Sequence, residues 1–214
     1  MDVKAIKKAL ADFWDFLWND DSLLSWLLNI VVAFVLIKFI VFPTLGFILN
    51  TPYPVVAVVS GSMDHRSQDG VVCGKQVSDY DGNYENFWKL CGKWYEENDI
   101  TKEKFEDFPF KNGFSKGNVI VLFGEDPAEI EVGDVIVFQR KSPVPIIHRV
   151  VHKWEKDGEW HFKTKGDHNQ DVFYAIGEQE IPEEDVAGKA VLRVPFVGYV
   201  KIVFVELIEL VRWR

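Results

Sequence analysis

Only two cysteines occur among 214 residues, too few for a disulfide-dense scaffold, a four-cysteine zinc centre or an iron–sulfur cluster. The five histidines form no HExxH motif, and neither GxGxxG nor a GKS or GKT phosphate loop is present. The common nucleotide-cofactor enzymes are therefore disfavoured. Positive charge is short as well: 24 Lys and Arg stand against 33 Asp and Glu, a formal net charge of −9. A broad basic face for nucleic acid is not expected. The sequence thus predicts no metal, no cofactor and no nucleic-acid partner.

Apolar and aromatic residues are plentiful, and they are segregated. Hydrophobic residues make up 48% of the chain, with 8 Trp and 17 Phe. Between Leu23 and Leu49 the only ionisable side chain is Lys38. About 20 apolar residues cross a bilayer, so residues 23–50 are expected to form a transmembrane anchor. A cleaved signal peptide would carry a shorter apolar core. Lys38 is expected to snorkel to the headgroups. Ahead of the anchor, Phe13, Trp14, Phe16, Leu17 and Trp18 read as a short interfacial helix, and Asn19–Ser22 as a cap. Lys4, Lys7 and Lys8 precede the span, and no Lys or Arg follows Lys38 until Arg66. The positive-inside rule then places residues 1–22 in the cytoplasm and the remainder outside, as a single-pass membrane protein.

Past Pro52 and Pro54 the pattern changes to short apolar or alternating runs: 55–60, 118–123, 134–139, 146–152, 159–164 and 190–194. Gly, Pro and Asp bound them, which predicts a mainly β, small antiparallel barrel or sandwich over residues 51–195. Gly117–Leu122 and Gly133–Phe138 echo each other, as paired hairpin strands or by chance. Residues 67–115, with mixed charge and several aromatics, read as a lobe inserted into this domain. They hold Cys73 and Cys91, which either pair as a disulfide or stay buried thiols. Residues 196–214 are apolar, but Glu206, Glu209 and Arg212 recur on one helical side. That favours a C-terminal interfacial helix over a second span.

The chemistry-bearing residues fall in three places. Ser60 and Ser62 flank Gly61 at the end of an apolar run, so an extended chain puts both hydroxyls on one face. One can attack a carbonyl while the other donates to the developing oxyanion. His148 lies among Ile146, Ile147, Val150 and Val151, where desolvation favours the neutral, proton-accepting imidazole. Asp167 and Asp171 lie in a Lys-Gly-Asp turn region and can hold the imidazole in the useful tautomer.

Taken in order, these segments resemble the type I signal peptidases of the archaeal and endoplasmic-reticulum branch. The matching residues are Ser60-Gly61-Ser62-Met63 after Pro54–Val59, then Val132–Val137, Ile147–Val150, Thr164–Asp167 and Val194–Gly198. The resemblance covers roughly residues 25–65 and 115–200. It implies a membrane-bound serine endopeptidase that removes signal peptides, with small residues before the cut, from secreted and membrane preproteins. By the resemblance Ser62 is the nucleophile, working through an acyl-enzyme, and Ser60 with the Ser62 N–H builds the oxyanion hole. His148 stands where the bacterial branch carries a general-base lysine. The implied location is the cell membrane, catalytic domain on the extracytoplasmic face, or the endoplasmic-reticulum membrane in a eukaryote. The implied partners are preproteins, the lipid bilayer and, as a further candidate, secretion machinery.

Two departures stand out. The family's catalytic acid sits six residues after the Gly-Asp aspartate, where this chain has Phe173, so Asp171 is the favoured acid and Asp167 its alternative. Asp64-His65 replaces the usual Glu-Pro, and His65 becomes a rival base at a turn position without fixed orientation. Two other readings compete. One is a membrane-tethered β-domain that has lost catalysis and binds peptides or partner subunits. The other is an autocleaving, repressor-like peptidase using lysine, which a lysine at position 148 would have favoured.

Overall fold

The structure, a computed structural model, describes residues 3–142, 144–196 and 198. The expected helix over 196–214 therefore lies, but for Phe196 and Gly198, outside the described residues. The chain divides into two units, Met1–Ile48 and Leu49–Arg214.

The first unit is helical. Helix α1 (Val3–Asn19) is longer than the predicted aromatic stretch. Ser22 caps α2 (Leu23–Leu36), accepting a hydrogen bond from the Ser25 amide at 3.2 Å. Two polar side chains within the apolar run turn back to α1: Ser25 Oγ donates to Phe16 O at 2.8 Å, and Asn29 Nδ2 to Leu17 O at 2.8 Å. A π-helical turn over Ile37–Val41 connects to α3 (Phe42–Ile48), so that Leu23–Ile48 is one apolar helix of 26 residues. At 1.5 Å per residue it is about 39 Å long, enough to cross a hydrocarbon layer of about 30 Å. The wide turn precedes Pro43, which has no N–H to give and would crowd a regular helix. Lys38 Nζ lies over the rings of Phe34 and Phe39, at 5.7 and 5.4 Å.

The second unit is mainly β. Its strands are β1 (Val55–Ala57), β2 (Val71–Val72), β3 (Lys75–Gln76), β4 (Val119–Phe123), β5 (Val135–Phe138), β6 (Ile146–Lys156), β7 (Glu159–Lys165), β8 (Ile181–Pro182) and β9 (Val186–Val194). Seven form a curled antiparallel sheet in the order β1-β4-β9-β5-β6-β7-β8, and β2 and β3 form a separate hairpin. The predicted antiparallel β fold is thus the one found. The echoing segments become β4 and β5, which flank β9 rather than pairing with each other.

Period-two patterning explains the core. Val135 and Val137 join Val58, Met63, Phe114, Ile120 and Leu122 on one face, while Ile136 and Phe138 join Ile130, Val150, Phe162 and Ile181 on the other. Being covered on both sides, β5 is a continuous apolar run.

The inserted stretch carries two helices, α4 (Tyr84–Glu96) and α5 (Lys102–Glu106), capped by Asn83 and Thr101. Phe87, Trp88, Cys91, Tyr95 and Phe105 form its core, which closes on Val151 of β6. Cys73 and Cys91 are bonded to each other.

Candidate active site

Chain direction at the β1 edge sets the position of Ser60 and Ser62. Val58 N donates to Asn118 O and Gly117 N to Val58 O, both at 2.9 Å, so the pairing continues one residue beyond β1 before the chain bends at Ser60. Met63, 1% exposed, then plugs the core, and Phe114 N donates to its carbonyl. Between these anchors Ser60 Oγ and Ser62 Oγ lie 3.2 Å apart, brought together by a turn that Asp64 N closes on Gly61 O and not by an extended chain.

His148 comes from β6, opposite Ile136 of β5. It is buried, and its Nε2 lies 2.8 Å from Ser62 Oγ. The backbone passes closely here. A Cβ on Gly166 would sit 2.9 Å from His148 Nε2 and 2.8 Å from Ser62 O, so the turn after β7 needs glycine at this point. His168 N donates to Ser62 O at 2.9 Å, tying that turn to Ser62.

The carboxylate that meets the His148 ring is neither of the expected aspartates. His148 Nδ1 hydrogen-bonds Glu178 Oε1, and Glu178 is fully buried. Thr164 Oγ1 donates to the same carboxylate oxygen at 3.2 Å, and Phe173 N to the other at 2.7 Å. With Nδ1–H donated to Glu178, Nε2 is left as the acceptor for the Ser62 hydroxyl proton. Sequence reasoning missed Glu178. The residue follows Gly177, whose positive φ of 84° ends a short 3₁₀ turn, and Thr164 N binds its carbonyl at 3.0 Å. Nothing local marks it, since its partner is 30 residues away.

Asp171 does not contact the imidazole. Its Oδ1 accepts from Trp94 Nε1 at 2.9 Å and from Val172 N at 2.7 Å, which fastens the loop to α4. Asp167 is fully buried and paired elsewhere. Arg149 grips it with Nε at 2.9 Å and Nη2 at 2.8 Å, Tyr95 Oη donates to Oδ1 at 3.0 Å, and His65 Nε2 lies 3.0 Å from Oδ2. Burial alone would raise its pKa, but the Arg149 guanidinium and the His65 contact outweigh burial and hold it far below the usual carboxylate range. Arg149 spends its remaining donors on the carbonyls of Pro109, Gly133 and Phe110. This cluster joins β6, β7 and the inserted lobe.

The rival base is engaged in the same cluster. His65 is 2% exposed and stacks on Phe87 at 3.6 Å, a fixed orientation where the sequence predicted none. His168 Nδ1 pairs with Asp64 O at 2.9 Å, and burial pushes its pKa down. Lys165 Nζ donates to Gly166 O and Asp167 O, with Trp94 and Tyr95 around it, and burial lowers its pKa to about 8. None of these bonds leads to Ser62. Among the described residues no group of three or more His, Cys, Asp and Glu side chains is gathered to hold a metal.

A cleft of about 330 Å³ opens over Ser62 and His148. Val56, Val58, Val144, Ile146, Phe173 and Ile176 supply much of its wall, so it is mostly apolar. β1 is a sheet edge, hydrogen-bonded on one side to β4.

Known proteins are similar in sequence to part of this chain. The signal peptidase complex catalytic subunit SEC11 of Colletotrichum graminicola is 37% identical over 98 residues, which cover 44% of this chain and 57% of that protein. The chain is homologous to signal peptidase catalytic subunits. The sec11 subunit of Neurospora crassa is 36% identical, and SEC11 of Fusarium vanettenii 37%, over stretches of the same length and coverage. The chain thus spans a little over half the length of the signal peptidase subunits it matches. No family model matches it.

Proposed function

We propose that this chain is a membrane-anchored serine endopeptidase that cleaves signal peptides from preproteins. The observation that carries the reading is the Ser62–His148–Glu178 relay: Oγ to Nε2 at 2.8 Å, with Nδ1 on a buried carboxylate. His148 takes the Ser62 proton as Oγ attacks the scissile carbonyl, and later gives it to the leaving amine. Glu178 holds the tautomer and stabilises the imidazolium. Ser60 Oγ and the Ser62 N–H receive the negative charge on the carbonyl oxygen. Water then hydrolyses the ester on Ser62.

The apolar cleft suits small, uncharged residues before the cut. An extended peptide laid along the open edge of β1 would gain backbone hydrogen bonds. Ser62 follows the apolar helix by 14 residues of chain, counted from Ile48 (62 − 48). Residues 23–50 serve as the one span among the described residues, residues 1–22 lie at the cytoplasmic face, and residues 51–195 work on the opposite face. The relatives named as signal peptidase complex subunits support further subunits of such a complex as partners.

Reconstituted into liposomes, the chain should convert a preprotein into its mature form, and Ser62→Ala should not. A chain that binds the signal peptide and never cuts it would favour the inactive-binder reading.

A further inference from the structure

The peptide joining Gly61 to Ser62 is held from outside the catalytic relay. Gln68 Nε2 donates to Gly61 O at 2.6 Å, and Asp64 N donates to the same oxygen at 2.9 Å. We propose that Gln68 is a positioning residue for the oxyanion hole, pinning this peptide so that the Ser62 N–H is aimed at the developing charge. The inference rests on the reading of Ser62 as nucleophile.

Three observations carry it. First, no cis peptide occurs among the described residues, and in a trans peptide the C=O and N–H point in opposite directions. Fixing Gly61 O therefore fixes the Ser62 N–H. Two donors on one carbonyl also polarise the amide, which makes its N–H a stronger donor.

Second, the site is shaped for this contact. A Cβ on Gly61 would fall 1.5 Å from Gln68 Nε2 and 2.2 Å from its Cδ. The glycine between the two serines thus makes room for the Gln68 amide, besides allowing any approach of substrate.

Third, Gln68 is delivered on a rigid turn. Its N–H and C=O both pair with Val71, at 3.3 and 3.0 Å. The intervening Asp69 and Gly70 have φ of 52° and 75°, the positive values that a two-residue type I′ hairpin turn requires. This hairpin opens the inserted stretch, so the insertion reaches the catalytic centre through one side chain. Gln68 itself is exposed, and its loss leaves no hole in the core.

The test uses the full chain in lipid vesicles with a preprotein substrate, reading kcat, KM and thermal midpoint. Gln68→Ala should lower kcat about tenfold, less than the hundredfold or more typical of deleting an oxyanion donor, with KM and midpoint unchanged. Gln68→Glu keeps the shape but puts an acceptor against Gly61 O. Its kcat relative to the parent should recover as pH falls and the carboxyl gains a proton to donate, whereas the Gln68→Ala ratio stays flat. Gly61→Ala, which displaces the amide, should add little in the Gln68→Ala background. Parental kcat in Gln68→Ala, or a raised KM at constant kcat, overturns the proposal while leaving the peptidase reading intact. A parent that cleaves nothing overturns both.

Discussion

His148 Nδ1 is paired with Glu178 and with neither aspartate of the Lys-Gly-Asp turn region. The carboxylate is itself held by Thr164 Oγ1 and Phe173 N, so it cannot swing away without stranding buried donors. Glu178→Gln would leave this shape but present an amide to Nδ1, favouring the wrong tautomer. Turnover should fall by roughly 10²–10⁴ with the fold retained. Asp171→Asn should stay near the parental rate, because Asp171 bonds Trp94. Initial rates of preprotein cleavage for the two variants decide the point, and the reverse ranking would return the acid's role to Asp171.

Asp167 belongs to stability. Asp167→Asn strands the fully buried Arg149, and removing one partner of a buried pair costs on the order of 3–5 kcal/mol. The folded pKa lies far below the ordinary 3.8, so the native state holds its proton less tightly than the unfolded chain. The ion pair's contribution is therefore complete above that ordinary value and is lost as pH falls below it toward the folded one. Chemical denaturation between pH 7 and pH 2 should show this decline in the parent and a flatter curve in Asp167→Asn.

Lys165 shifts stability in the same direction as Asp167, in a higher pH window. Burial lowers it to about 8 from 10.5, so between those values the unfolded chain binds more protons and stability rises with pH. Lys165→Met should abolish that rise. Thermal midpoints from pH 7 to pH 10, parent against variant, isolate the effect.

The Cys73–Cys91 bond closes a loop with a sequence separation of 18 and ties the β2 hairpin to α4. Removing such a cross-link costs about 3 kcal/mol. Helix α4 also supplies Trp94 and Tyr95, which hold Asp171 and Asp167. Cys73→Ser with Cys91→Ser should lower the thermal midpoint, and reductant should do the same to the parent alone.

The Ser62–His148 pairing was legible because His148 sits in an apolar strand and Ser62 in a Ser-Gly-Ser turn that directly follows the apolar run containing β1. The sheet was legible as short apolar or alternating runs, of which Val135–Phe138, buried on both faces, is a continuous one. Strand ends were less clear. β9 starts at Val186 rather than Ala190, because its polar and small first residues pair with β5 across a register shift at Val137. Helix α4 left a readable signal in the spacing of Phe87, Cys91 and Tyr95 behind the Asn83 cap, and mixed charge hid it. The acid was not legible at all. Asp167 looks catalytic by its turn, but Arg149, one residue after the histidine, claims it. Glu178 reaches Nδ1 only because the loop between β7 and β8 folds back over β6.

The most direct test of the relay is the cleavage rate of membrane-reconstituted His148→Ala on a preprotein, with the cut bond mapped by mass spectrometry. The parent should cut at one bond after small residues, and His148→Ala should lose essentially all turnover while keeping its thermal midpoint. His148→Lys should not restore it, because a lysine must also be desolvated and aimed to act as a base. Full activity in His148→Ala would contradict the Ser62–His148–Glu178 account.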